Sequence, residues 1–249
     1  MNSTTHNYFF QQIFYFNKRT YLASLFFTLS LLLLQNYIQP PRPISILVYL
    51  GITGTIYFTF SSLFFSYLIY DCSDLYKFNW LKKLIPTKQT IFLNVYSGYT
   101  EAGHLLQSAL TENTILHLDF YNEQISTTNS IKVAKKLSRS IDNKKIQYNN
   151  WQFDSKTDTI LFMQSLHELL EMRQQIECLQ EAKLLLVNNE SKIIIVEHLC
   201  DLKNFLIYSI GAFHFFGKKR WQNVINEAGL IIEKEINMTP FIKVFVLKK

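Results

Sequence analysis

The chain has 249 residues, of which 48% are hydrophobic and 18% charged, with a formal net charge of +6. That length suits one ordinary domain plus an anchor; the Lys and Arg residues are scattered, with no basic stripe interleaved with aromatics, so a nucleic-acid partner is not expected. Cys72, Cys178 and Cys200 form no CxxC pair, which fits a reducing compartment and argues against a disulfide framework or a zinc site.

The first third is nearly free of charge. Residues 21–38 and 44–70 are apolar runs, each long enough to cross a hydrocarbon core as a helix of about 20 residues. Between them stands Gln39-Pro40-Pro41-Arg42-Pro43, a helix-breaking connection. The expectation is a transmembrane helical hairpin over residues 1–70. Lys18 and Arg19 precede it and Lys77, Lys82, Lys83 and Lys88 follow it, so the positive-inside rule places both ends, and the rest of the chain, in the cytoplasm. A pair of buried core helices is the alternative; it usually carries a polar stripe. Residues 71–89 read as an amphipathic connector, with Tyr76 and Trp80 at headgroup level.

From residue 90 short apolar runs alternate with helical stretches. Strands are expected at 90–96, 114–120, 145–148, 159–164 and 192–197, and helices at 101–110, 129–137, 167–186 and 204–228. Such alternation implies βαβ units and a mostly parallel sheet, with ligands beyond the carboxyl ends of its strands. The last two strands, 230–236 and 241–247, are joined by Asn237-Met238-Thr239-Pro240, too short for a crossover helix, and must form an antiparallel hairpin.

This order over residues 88–249 resembles the class I S-adenosylmethionine-dependent methyltransferases. The resemblance implies a Rossmann-like, seven-stranded, mostly parallel sheet closed by a C-terminal antiparallel hairpin, with a methyltransferase-like domain at 90–249. The motif for the methionine end of the cofactor matches Phe92-Leu93-Asn94-Val95-Tyr96-Ser97-Gly98-Tyr99-Thr100-Glu101, with Asn94, Ser97, Gly98 and Glu101 as contacts. It departs from the family, which has an acid where Asn94 stands and more glycines than Gly98. A plain strand-to-helix turn is the other reading of that stretch. Asp119, ending the second strand, matches the carboxylate that receives both ribose hydroxyls; a solvated strand-end Asp is its alternative. Phe120 or Tyr121 would cover adenine, and Asn150, Trp151 and Gln152 would flank it, Trp151 reading equally well as core. Gln164 ends the fourth strand facing the transferred methyl group.

Methyl transfer from a sulfonium is an in-line displacement needing alignment, a dry pocket and, for an oxygen or carbon acid, a base. His167 and His198 are the candidate bases, His214 the third, and Glu168 or Asp201 would orient an imidazole. His167-Glu168 is also a plausible helix-start cap. The histidines are dispersed in sequence, so no metal is expected. The expected function is S-adenosyl-L-methionine-dependent methyl transfer to a small lipophilic acceptor at the membrane, under an aromatic lid over residues 204–216. A non-catalytic scaffold keeping the fold is the second reading. A nicotinamide reductase is the third, but it requires a GxGxxG turn that the stretch after Leu93 lacks.

Overall fold

The computed structural model describes residues 8–85, 91–100, 103–124, 135 and 141–249. The chain divides into two compact units, Met1–Cys72 with Leu202–Gly211, and Ser73–Asp201 with Ala212–Lys249. The helix expected at 129–137 falls almost wholly outside the described residues, as does Glu101.

In the first unit α1 (Tyr8–Leu33) and α2 (Arg42–Tyr67) are each followed by a wide helical turn, reaching Ile38 and Cys72. They run antiparallel and pack together. Tyr21 Oη lies 3.5 Å from Ser62 Oγ near one end, and Gln35 donates to Ser45 Oγ (3.3 Å) near the other. Gln39 stops the first helix in a left-handed conformation (φ 47°), and Pro41 and Pro43 fix the start of the second, where a missing N–H costs nothing. A side chain at Gly51 would meet Leu31 at 3.1 Å, so this residue lets the helices approach. Leu22, Phe26, Leu47 and Phe60 point outward. Both helices are long and apolar enough to cross a membrane.

The second unit is built on seven strands: β1 (Ile91–Tyr96), β2 (Thr114–Asp119), β3 (Lys144–Lys145), β4 (Thr159–Met163), β5 (Lys192–His198), β6 (Ile231–Asn237) and β7 (Ile242–Lys248). Their order is β3-β2-β1-β4-β5-β7-β6. The first five are parallel, while β7 lies antiparallel between β5 and β6. Thr239 makes the closing turn, its Oγ1 accepting from the amides of Phe241 (3.2 Å) and Ile242 (3.0 Å).

Alternation along the strands splits the core. Leu93, Val95, Ile160, Phe162, Ile193, Ile195, Phe245 and Leu247 pack with Leu179 and Ala182 of α5 (Met172–Leu185) and with Trp221 and Val224 of α7 (Lys218–Glu227). The intervening Phe92, Leu161, Ile194, Val196 and Val246 are equally buried, as befits central strands covered on both faces. Each such side chain contributes about 1.5–3 kcal/mol. A capping box, Glu171 with Gln174, starts α5.

Several boundaries differ from expectation. Leu75, Phe78 and Leu81 are fully buried and Tyr76 nearly so, while Trp80 donates to the Leu75 carbonyl (2.9 Å). Residues 73–85 are thus part of the globular unit, including the short α3 (Asn79–Lys82). Their apolar spacing reads as amphipathic because one face meets a protein core, not headgroups. The first βα turn leads into α4 (Gly103–Ala109). The helix expected from residue 167 begins only at Met172, after a tight turn at Leu166–Glu168. The expected helix 204–228 divides into α6 (Leu202–Tyr208), a tighter turn Ser209–His214, and α7, because Ser209 takes a left-handed conformation (φ 52°) that no helix continues through.

Candidate active site

Because β2, β1, β4 and β5 are parallel and adjacent, their carboxyl ends lie side by side. Tyr96 pairs with Asp119, Val95 with Phe162, and Met163 with Val196. Two groups of polar residues gather at these ends.

The first surrounds Asp119, which is buried. Its Oδ1 accepts from the amides of Gly98 (2.8 Å) and Tyr121 (2.9 Å), and its Oδ2 pairs with Lys145, whose side chain is more than half exposed. Gly98 sits at φ 69°, where glycine is strongly favoured, and a Cβ there would strike the Tyr121 ring at 2.8 Å. Next to this carboxylate opens a cavity of about 630 Å³ lined by Phe120, Tyr121, Lys145, Ile146, Tyr148 and Asn149, among others. Burial, then the Glu123, Asp119 and Glu168 carboxylates, push the Tyr121 phenol above its ordinary pKa. Ser97 Oγ and Tyr121 Oη are buried without a hydrogen-bond partner among the described residues.

The second group is a chain of His and Glu side chains. Glu197, the last acidic residue of β5 and fully buried, accepts from the amides of Leu166 (3.1 Å) and His167 (3.2 Å) through Oε1. Its Oε2 lies 2.6 Å from His167 Nδ1. His167 Nε2 faces Glu168 Oε1 at 3.3 Å, and His214 Nε2 approaches the same oxygen at 3.7 Å. Phe215 stacks on His198 (centroids 4.7 Å, 18°) and stands edge-on to His167. Ser165 ties the group to β1 by donating to the Val95 carbonyl (2.9 Å).

Burial disfavours charge on His167, but Glu197 and then Glu168 outweigh it and raise its pKa to about 10. Burial likewise disfavours charge on Glu168, yet the hydrogen bonds from His167 and His214 hold its carboxyl well below the usual range. At neutral pH the interior of the cluster is therefore an imidazolium between two carboxylates.

Most of the candidates lie at these strand ends. His167, Glu168 and His198 join the second group, with Glu197 as the unforeseen partner in place of Asp201. The lone charge at the end of the otherwise apolar Ile193–Val196 run was its signal, since a buried carboxylate requires a partner. Ser97, Gly98, Asp119 and Phe120 belong to the first group. Asn94 is buried below them, its amide donating to Thr100 Oγ1 (3.0 Å) and meeting His117 Nδ1 (3.1 Å). Gln164 adopts φ 50°, and its backbone N–H donates to the Val196 carbonyl (2.9 Å). Trp151 is a correction: it is core, packed near Phe162, its indole N–H donating to the Tyr148 carbonyl (3.1 Å). Asn150 is exposed in the same turn, and the cavity is lined instead by Tyr148 and Asn149. The fold also overrides the sequence spacing of the histidines: His167, Glu168 and His214 bring ligand atoms within 4.8 Å of one another.

The polar tips suit an adenosyl ligand. Asp119 is placed for a ribose, the neighbouring cavity is aromatic and amide-lined, and two buried hydroxyls have unused hydrogen-bonding capacity. Lys145 must release Asp119, and Tyr121 must leave Gly98, for a ligand to reach both.

No protein-family model and no curated protein matches the sequence. Solved structures do resemble it. An S-adenosylmethionine-dependent methyltransferase from Aquifex aeolicus is 16% identical over 72% of this chain and 95% of its own, with a TM-score of 0.50. The pyocyanin biosynthetic protein PhzM is 10% identical over 88% of this chain and 71% of its own, with a TM-score of 0.53. An O-methyltransferase family 2 protein from Planctomyces limnophilus, in complex with apigenin, is 15% identical with a TM-score of 0.45, and this chain spans half its length. At these identities the likeness concerns architecture: the second unit has the fold of the S-adenosylmethionine-dependent methyltransferases.

Proposed function

We propose that the chain is a membrane-anchored methyltransferase that uses S-adenosyl-L-methionine to methylate a small lipophilic acceptor. The observation that carries this reading is the buried Asp119 carboxylate at the end of β2, bound to the Gly98 amide and adjoining an open aromatic cavity. There the carboxylate would grip the ribose, with Lys145 swung outward. Phe120, Tyr121 and Tyr148 would flank adenine, and Ser97 would meet the polar methionine end.

The cofactor supplies an electrophilic methyl group on a sulfonium. Residues at the ends of β4 and β5 provide the rest. His167 keeps its own proton at neutral pH, so it acts by charge and fixes Glu168. His214, the more exposed imidazole, takes the acceptor's proton at Nδ1, while its Nε2–H faces Glu168, which steadies the resulting imidazolium. When bound, the cofactor would give its methyl carbon to the acceptor oxygen and keep the electron pair of the broken bond on sulfur. His198 and Phe215 form a dry aromatic wall.

A second reading, a non-catalytic module with this fold, is favoured by the Tyr121 ring seated on Gly98. Incubating the purified full chain with methyl-labelled cofactor and a membrane extract separates the possibilities. Label in the organic phase is expected. Label confined to water-soluble products contradicts the acceptor class, and no transfer to any acceptor contradicts the enzyme reading.

A further inference from the structure

The segment between the two halves of the proposed catalytic cluster belongs by its contacts to the hairpin unit. Leu202–Gly211 groups with Met1–Cys72, whereas Glu197, His198, His214 and Phe215 lie in the other unit. Within the hairpin unit α6 packs against α2, with Asn204 and Ile207 buried.

The opposite side of this segment is apolar and uncovered. Leu202 is 72% exposed and Leu206 48%, one helical turn apart on α6 with Phe205 next to Leu206; beyond the left-handed Ser209, Ile210 is 78% exposed and Phe213 68%. Outside the hairpin helices, five of the nine exposed large hydrophobics among the described residues fall in these twelve positions. The patch is therefore local and not the scatter normal to a protein surface. It is continuous with α1 and α2, which present Leu22, Phe26, Leu47 and Phe60 outward in the same way. Lys203 is exposed on the same helix, as expected of a helix lying among anionic headgroups.

We infer that residues 202–213 form a third membrane-embedded element, lying in the lipid interface beside the hairpin, and that the lipophilic acceptor enters from the bilayer along it. The inference rests on the membrane anchoring proposed above, but not on methyl transfer. Chain connectivity gives it a functional consequence: the embedded segment runs directly into His214 and Phe215.

The test is fluorescence depth quenching on the full chain in phosphatidylcholine–phosphatidylglycerol vesicles. Cys72 and Cys200 are replaced by Ser, the buried Cys178 is retained, and an environment-sensitive label is placed singly at Ile210→Cys, Phe26→Cys or Leu184→Cys. Leu184 is 63% exposed on α5 and serves as the water-facing control. Doxyl-labelled lipid is expected to quench positions 210 and 26, with blue-shifted emission, and to spare 184. Quenching at 26 but not at 210 overturns the inference and leaves anchor and enzyme standing. Equal quenching at 210 and 184 also overturns it, since immersion would not be selective. Absence of quenching at 26 removes the membrane reading and the inference with it. As a second arm, Leu206→Glu with Ile210→Glu is expected to abolish quenching at a Phe213→Cys label. It should also raise KM for a vesicle-dissolved acceptor while leaving the affinity for S-adenosylhomocysteine unchanged. Retained quenching at Phe213→Cys in that variant contradicts immersion through this face.

Discussion

Glu197 and His167 lie 30 positions apart in sequence and 2.6 Å apart in space, Glu197 fully buried and His167 8% exposed. A pair of that kind ties pH to stability. The folded pKa of His167, about 10, lies above its ordinary 6.5. Its contribution is therefore complete below the ordinary value, declines above it, and is lost as pH rises through about 10. Glu168 is displaced the opposite way from 4.5, so its contribution is present above that value and is lost as pH falls. Thermal unfolding of the full chain should show a midpoint that declines from neutral toward pH 10, and His167→Gln should flatten this alkaline slope. An unchanged slope in the variant would contradict the pairing. His167→Ala leaves Glu197 buried without its partner and should cost about 3–5 kcal/mol, measured by denaturant titration. His214→Asn should lower kcat by about 10²–10⁴, with S-adenosylhomocysteine affinity unchanged. Asp119 was named through the family resemblance, with a solvated strand-end Asp as the alternative; the structure buries it and joins it to the Gly98 and Tyr121 amides. Glu197 was harder to assign, since its partner sits on a different strand end and no spacing rule connects them. Trp151 misled because an indole after a strand satisfies a core as readily as a ring-binding site.

Among the elements, the closing hairpin was the most legible, because Asn237-Met238-Thr239-Pro240 leaves room for a turn and nothing else. The turn alone does not reveal the insertion of β7 between β5 and β6, which depends on edge pairing across the sheet; the family resemblance implied a last strand inserted antiparallel. The division of residues 202–228 was hidden as well, since apolar periodicity continues across the left-handed Ser209. Residues 73–85 show the limit of amphipathic patterns: the same spacing serves a protein core or a lipid surface, and only tertiary contacts distinguish them. The β1-to-α4 turn offers a direct check on element geometry. Gly98→Ala should destabilise the fold by about 1–3 kcal/mol through its positive φ and its contact with the Tyr121 ring. Tyr121→Ala in the same chain should recover part of that loss. Additive effects of the two changes, read by chemical denaturation, would contradict the close packing of ring on backbone.

The whole molecule joins an apolar hairpin to a unit with a methyltransferase fold, whose strand tips carry Asp119 and the Glu197–His167–Glu168 chain. The hairpin was legible from length and lack of charge alone; the grouping of Leu202–Gly211 with it was not, because contacts, not composition, assign that segment. Membranes bearing the full chain should retain it through an alkaline carbonate wash and release it only to detergent; release by carbonate would contradict a spanning anchor. The central claim is that Asp119 and its surroundings hold an adenosyl cofactor. Calorimetric titration of the detergent-solubilised full chain with S-adenosylhomocysteine tests it most directly. Saturable binding at one site per chain is predicted. Asp119→Asn, which keeps an acceptor for the Gly98 amide but removes the charge, should weaken that binding by about 1.5–3 kcal/mol. Heat no different from dilution at millimolar ligand, or equal affinity in the Asn variant, would contradict the account.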